Sequence, residues 1–378
     1  GLDVVLADRH DFPRDKSCGD ALIPDALAAL ARLGLRERVL AEALVVDTIR
    51  VHAPGGSWVD LRGRCACLPR RALDDVLRRG AEEAGARFLP RHRLESALRG
   101  AGGMVEGATL VDLDRGTERR VRARLTLLAT GAAAEPLRAF GACRRLTASA
   151  IASRVYVQAP PALARELDAL CLCYDRNLAP GYGWLFPGPG GVCNVGVGYF
   201  YDARPRRSGG NLRQLLSRFV ETFPLAKRLI SEGTLLTPLK GAPLRTALSG
   251  AALALPGLMV LGEAAGLTYS YSGEGIGKAM ESGLLAAEIA AEGLRAEAPD
   301  AAALGERYAA EVARRFGARF RAYETAQAWL ARPALADFLT WRARSGRFAR
   351  RQLEGLINET TDPRALFSWG GLWRSLVS

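Results

Sequence analysis

The chain has 378 residues, with 52 lysines and arginines against 40 acidic residues, a net charge of +12 and a pI near 9.8. That length exceeds a usual single core and points to two interleaved domains followed by a helical tail. No unbroken apolar run reaches the ~18 residues of a membrane span, so a cytoplasmic location, at most peripheral to a membrane, is expected. The basic residues are mostly arginine, spread along the chain outside any nucleic-acid module, so a solvated basic surface is expected and no nucleic-acid partner. Three histidines leave little material for a histidine-centred triad. The seven cysteines, with C-x-C pairs at Cys65 and Cys67 and at Cys171 and Cys173, lack the spacing of a zinc site, so free thiols, a reducing compartment and no metal are expected.

Leu2 to Ala7 reads as a buried parallel strand ending in Asp8 and Arg9. An acidic residue at the end of the second strand of a dinucleotide-binding unit accepts hydrogen bonds from the adenosine ribose, and Asp8 suits that place. The first strand of such a unit and its G-x-G-x-x-G turn do not precede it, so a truncated start and weak dinucleotide binding by this chain alone are expected. Pro24 to Leu33 is a predicted helix stopped by Gly34. Val45–Ala53 and Ser57–Leu61 form a hairpin through Pro54-Gly55-Gly56, and Leu68–Gly85 is amphipathic and helical. From Arg87 the pattern alternates as short strands, the last of which, Leu125 to Ala129, runs into Thr130-Gly131.

Ala148 to Phe200 is β-rich. Tyr182 and Trp184 lie two apart and so face one side of a strand, either walling an apolar cavity or filling a core. Asn211–Phe223, Ala301–Leu330 and most of Ala334–Ile357 are predicted helices. Between them, Leu258–Leu261 is a short apolar strand, Gly262–Gly266 a tight turn, and Ser272-Gly273-Glu274-Gly275 opens a helix running to about Leu294. Such a helix start gathers free N–H groups and positive dipole, which suits a phosphate or an electron-rich ring edge. For the tail tryptophans Trp329, Trp341, Trp369 and Trp373, core packing is the main expectation; covering a cavity, pairing subunits and touching a membrane are the alternatives.

GEAAG at Gly262–Gly266 followed by SGEGIG at Ser272–Gly277 resembles motifs of FAD-dependent oxidoreductases with the para-hydroxybenzoate hydroxylase fold, most closely the geranylgeranyl reductase family. FPRDKSCGD at Phe12–Asp20, the R-x-x-L-D element at Arg70, Ala129-Thr130-Gly131 and the Y-x-W-x-F-P strand at Tyr182 follow in that family's order. The resemblance implies an α/β, Rossmann-like FAD-binding domain with an inserted antiparallel β-sheet substrate domain and a C-terminal helical region. Residues 1–44, 64–145 and 245–298 would form the first, 45–63 and 146–244 the second, and 299–378 the third.

It further implies that Asp8 and Arg9 meet the adenosine ribose and that Leu94 lies where the backbone meets adenine. Cys18 and Gly19 would lie beside the flavin ring, with Cys18 the one catalytic side chain nominated. Arg70, Thr130, Gly131 and Gly262 would line the cofactor, with Glu263, in place of the usual Asp, on its ribityl chain. Gly273, Gly275 and Ile276 would face the ring, and Tyr182, Trp184 and Phe186 would hold an apolar substrate. The implied activity is reduction of C=C bonds in an isoprenoid or similar apolar molecule, with NAD(P)H or another donor as reductant. A flavin monooxygenase or halogenase acting on an aromatic or natural-product intermediate is the alternative, although Tyr182-Gly183-Trp184 lacks the halogenases' W-x-W-x-I-P. A truncated, non-catalytic relative is the second alternative, and the oligomeric state is left open.

Overall fold

The computed structural model describes residues 1–143, 147–201, 211–246, 248, 250 and 252–377. The domain boundary expected at 145/146 lies outside them. A nine-stranded mixed sheet dominates the fold. Its centre is the antiparallel run of Leu170–Cys173, Tyr182–Pro187, Val192–Phe200 and Ala150–Gln158. Leu170–Cys173 also pairs in parallel with Leu44–His52, the first arm of the hairpin whose second arm is Trp58–Cys67.

The two faces of this sheet differ because side chains alternate along each strand. Val155, Val157, Cys171, Cys173, Leu185, Cys193, Val195 and Val197 point one way and pack on Leu215, Phe219, Phe223 and Leu229 from helices Leu212–Thr222 and Pro224–Glu232. The opposite face carries Arg154 and Tyr156, Tyr182, Trp184 and Phe186, and Asn194. Gly196 belongs to that face as well, and a Cβ there would lie 2.2 Å from the Trp184 ring. Only a residue without a side chain lets the indole lie flat on the strand.

The remaining strands are short. Val5–Ala7 pairs in parallel with Arg87–Leu89 alone, Leu258–Val260 in parallel with Thr126–Leu128, and His92–Arg99, Val105–Asp112 and Glu118–Arg122 form an antiparallel sheet. The expectation of a buried first strand is corrected here: Val4 and Leu6 are exposed, because among the described residues the strand has one neighbour in its sheet and no covering layer on that side.

The largest core joins Leu258–Val260, helix Ile276–Gly293 and the tail helix Ala301–Leu330 through Tyr308, Val312, Phe316, Phe320 and Tyr323. Within it Lys278 is almost wholly buried. Its ammonium is ion-paired with Asp25 at 3.2 Å, Glu281 at 2.9 Å and Glu359 at 2.8 Å, the last reaching in from beyond helix Arg347–Ile357. The three acids therefore surround a fixed internal cation that ties the tail to the helix Ile276–Gly293. Of the tail tryptophans, Trp329 packs on the main core as expected, whereas Trp341, Trp369 and Trp373 are exposed, the last two because the short last helix, Trp369–Val377, turns Gly371, Leu372 and Ser375 inward. All seven cysteines are free; Cys65, Cys67, Cys171, Cys173 and Cys193 are buried, while Cys18 and Cys143 are half-buried.

Candidate active site

The loop Phe12–Asp20 lies under the aromatic face of the large sheet. A Cβ on Gly19 would sit 3.1 Å from Phe186 and 3.5 Å from Trp184 Nε1, so the loop backbone runs directly beneath those rings. Trp184 Nε1 donates to Asn194 Oδ1 at 2.9 Å, and Asn194 Nδ2 donates to the Cys18 carbonyl and to Asp20 Oδ2, both at 2.7 Å.

Asp20 closes the arrangement. It is buried and held in the left-handed region at φ 69°, accepting from the Tyr156 hydroxyl at 2.5 Å and the Arg70 amide at 3.2 Å as well as from Asn194. Burial pushes its carboxyl up to about 6, against the pull of those donors. One side chain thus joins the loop, the large sheet and the start of helix Arg70–Glu83. Sequence reading gave Asp20, Asn194 and Tyr156 no role. Asp20 follows Cys18-Gly19 directly, but nothing in a sequence marks an aspartate as buried.

Around Cys18 the groups are cationic. The Arg70 guanidinium lies near the Cys18 thiol and makes two bonds to Asp74, at 2.7 and 2.9 Å. Arg14 bridges the other side of Asp74, at 3.2 Å, to Asp8 at 3.8 Å, which links the end of the first strand to this centre. Lys16 Nζ lies 3.9 Å from Glu263 Oε2, and the nearby Arg70 charge is the main force holding the Lys16 ammonium below its usual range. Glu263 is pushed up by burial. Gly131, at φ 66°, borders the pair, because a Cβ on it would lie 3.6 Å from Glu263 and 3.9 Å from Lys16.

Tyr182 donates from its hydroxyl to the Ser272 carbonyl and approaches Gly273, joining the sheet to the turn before the helix. That helix is capped at Gly275 and begins at Ile276, with the Gly277 amide donating to Glu274 at 3.1 Å. Tyr182 and Trp184 are themselves buried, 6.1 Å apart between ring centres, with Tyr174 and Phe200 beside Tyr182. Cys18, Gly19, Arg70, Gly131, Glu263, Gly273, Tyr182, Trp184 and Phe186 are therefore brought together. Leu94 packs on the main core and Arg9 is exposed, and neither takes part in these contacts. Two surface clefts elsewhere, one beside Glu288 and Arg307 and one beside Asp47 and Arg62, share no residue with this centre.

These residues fit a flavin. Thr130 Oγ1 and Glu274 Oε2 are buried without a hydrogen-bond partner at the two turns that flank the centre. Lys16 and Arg70 crowd two positive charges where an electron-rich group would relieve them.

Comparison with known proteins bears on this directly. No protein-family model matches the chain. The menaquinone reductase of Mycolicibacterium smegmatis is 31% identical over 310 residues, 78% of this chain and 71% of the relative. That of Mycobacterium tuberculosis H37Rv is 33% identical over 308 residues, 76% of this chain and 71% of the relative. The chain belongs to the geranylgeranyl reductase family. As a member it is an FAD-dependent oxidoreductase. A digeranylgeranylglycerophospholipid reductase of Methanoculleus marisnigri is 29% identical over 259 residues, 65% of this chain and 61% of the relative. Among solved structures, a geranylgeranyl bacteriochlorophyll reductase-like protein of Thermoplasma acidophilum superposes with a TM-score of 0.77 at 20% identity, over 100% of this chain and 90% of that one. A flavin-dependent brominase gives 0.76 at 19%, over 100% and 92%. At such identities these two show the shared fold, which geranylgeranyl reductases hold in common with halogenases and monooxygenases.

Proposed function

We propose that this enzyme saturates C=C bonds in the isoprenoid chain of a prenylated lipid, a prenylquinone being the first candidate. The observation that carries the reading is the aromatic strand face Tyr182, Trp184 and Phe186 laid over the Cys18–Gly19 loop and bonded to the turn at Ser272. The menaquinone and digeranylgeranylglycerophospholipid named for the relatives share one chemical feature, a polyprenyl chain, which supports it.

In this reading bound FAD, once reduced by NAD(P)H or another reductant, would supply the hydride, and a proton from a protein group or the reduced flavin would complete the saturation. Glu263 and Lys16 hold the ribityl chain; Thr130, Gly131 and Gly262 border it. The helix start at Gly275 and Ile276, with the Gly273 turn beside it, would direct its positive end at the ring edge, where it would favour negative charge. Arg70 would keep Cys18 in place beside the ring, and Cys18 is the one side chain nominated for catalysis. Asp8 and Arg9 meet the adenosine ribose and Leu94 the adenine. The aromatic face aligns the chain and excludes water, the positional advantage on which such a reduction depends. A long prenyl chain partitions into bilayers, so the enzyme works at a membrane surface.

The test is anaerobic incubation with a fully unsaturated menaquinone and chemically reduced FAD, followed by mass spectrometry. A gain of two hydrogens per double bond is expected. No such gain, together with substrate-dependent oxygen consumption in a parallel aerobic incubation with NAD(P)H, would overturn the reading in favour of a monooxygenase.

A further inference from the structure

We propose that the last helix, Trp369–Val377, is the element that docks this enzyme on an anionic lipid surface. The inference rests on the reading of a membrane-borne substrate and identifies where contact is made. Four large apolar side chains point outward from this helix: Trp369 is 82% exposed, Trp373 67%, Leu376 52% and Val377 68%. Their spacing of i, i+4, i+7 and i+8 places them in one stripe. The opposite seam faces inward, with Gly371 and Ser375 buried, and Arg342 donates to the Ser375 carbonyl. The helix is thus fixed to the body by Gly371, Leu372 and Ser375 and presents its other large residues to solvent. Contiguous exposed apolar surface of this kind marks an interaction site.

Charge selects the occupant. Residues 332 to 378 contain eight arginines and four acids. Each acid is engaged within the protein: Asp337 accepts from the Gly55 amide and Glu354 from the Arg62 amide, Glu359 pairs with Lys278 and Arg319, and Asp362 with Arg364. Arg344, Arg347, Arg351 and Arg374 remain exposed on the last three helices. Tryptophan and aliphatic side chains in a stripe, with arginine around them and no acid on the helix, is the pattern of an interfacial segment on anionic lipid.

The stripe also leads to the candidate site. The Trp369 ring centre lies 6.1 Å from that of Trp329, near the end of the tail helix. The next residue, Leu330, packs on the aromatic cluster of Tyr174, Tyr182 and Trp184, and Gln327 donates to the Pro180 carbonyl at 2.8 Å. Apolar side chains therefore connect the surface that would meet lipid with the face that would hold the prenyl chain.

The experiment is flotation of the full chain, supplemented with FAD, on vesicles of phosphatidylglycerol and phosphatidylcholine and on vesicles of phosphatidylcholine alone. Wild type is expected to float with the anionic vesicles. The double variant Trp369→Ser/Trp373→Ser should bind them at least ten-fold more weakly, with an unchanged melting temperature because both side chains are exposed. Absence of wild-type binding, or equal binding by the variant, would overturn the proposal. So would a wild-type dimer that the double variant converts to monomer, which would assign the stripe to a second copy. Binding is read without substrate, so failed reduction of menaquinone would leave this result standing, and the reverse.

Discussion

Asp20 occupies the most constrained position in the candidate site, since it combines a left-handed backbone, burial and three donors from three elements. Its carboxyl is raised from 3.8 to about 6, so its favourable contribution to stability is complete below pH 4 and is lost as the pH rises through 6. Asp20→Asn carries no charge at any pH. The variant's melting temperature, relative to wild type, is therefore expected to climb between pH 4 and pH 7 and then level off, and parallel melting curves across that window would contradict this.

Gly196 offers a second test at the same scale. A methyl group 2.2 Å from the indole cannot be accommodated, so Gly196→Ala should displace Trp184 and break its bond to Asn194. A shift in tryptophan emission and a drop of more than ten-fold in reductase rate are expected, since misplacement of about 1 Å costs about a hundred-fold in oriented reactions. Cys18, Gly19, Glu263 and Trp184 were legible in the sequence because they stand inside recognisable motifs. Asp20, Asn194 and Tyr156 were not, because what distinguishes them is burial and partnership across 136 to 174 residues of chain.

The helix Ile276–Gly293 owes its position to more than its apolar side. Lys278 holds three carboxylates from three other turns of chain, and Asp25 is itself raised to about 6, chiefly by burial. Removing the cation would leave the acids facing one another in a mostly buried cluster. Lys278→Met is expected to destabilise the fold by roughly 3–5 kcal/mol, the usual cost of stripping one partner from a buried ionic group, as measured by denaturant unfolding. The bounds of several elements could be read from pattern alone; Ala301–Leu330 is one helix from end to end, as its periodicity indicates. The outward face of Trp369–Val377 could not. A tryptophan-rich stripe has the same spacing whether it meets a core or a bilayer, and only the placement of Gly371 and Ser375 decides which side is in.

Across the whole molecule, the tail works as a strap. It reaches the helix Ile276–Gly293 through Glu359, the hairpin of the large sheet through Asp337 on Gly55 and Glu354 on Arg62, and the aromatic face through Gln327 and Leu330. These parts of the fold are thereby held by one run of consecutive tail helices. The reading of two intertwined layers with a helical tail came from length and element order, whereas the tail's function as a bridge depends on contacts between residues more than 280 apart.

The distribution of cysteines has a chemical consequence of its own. Burial pushes the thiols of Cys65, Cys171, Cys173 and Cys193 up to about 12, and Cys67 well above its usual value, so none of these five offers thiolate to an oxidant or alkylating reagent at neutral pH. Peroxide damage and labelling are then confined to the half-buried Cys18 and Cys143. A fluorophore or spin probe carried on a Cys143→Ser background would report from the loop beneath Trp184 alone, giving the protein a built-in sensor of what enters the candidate site.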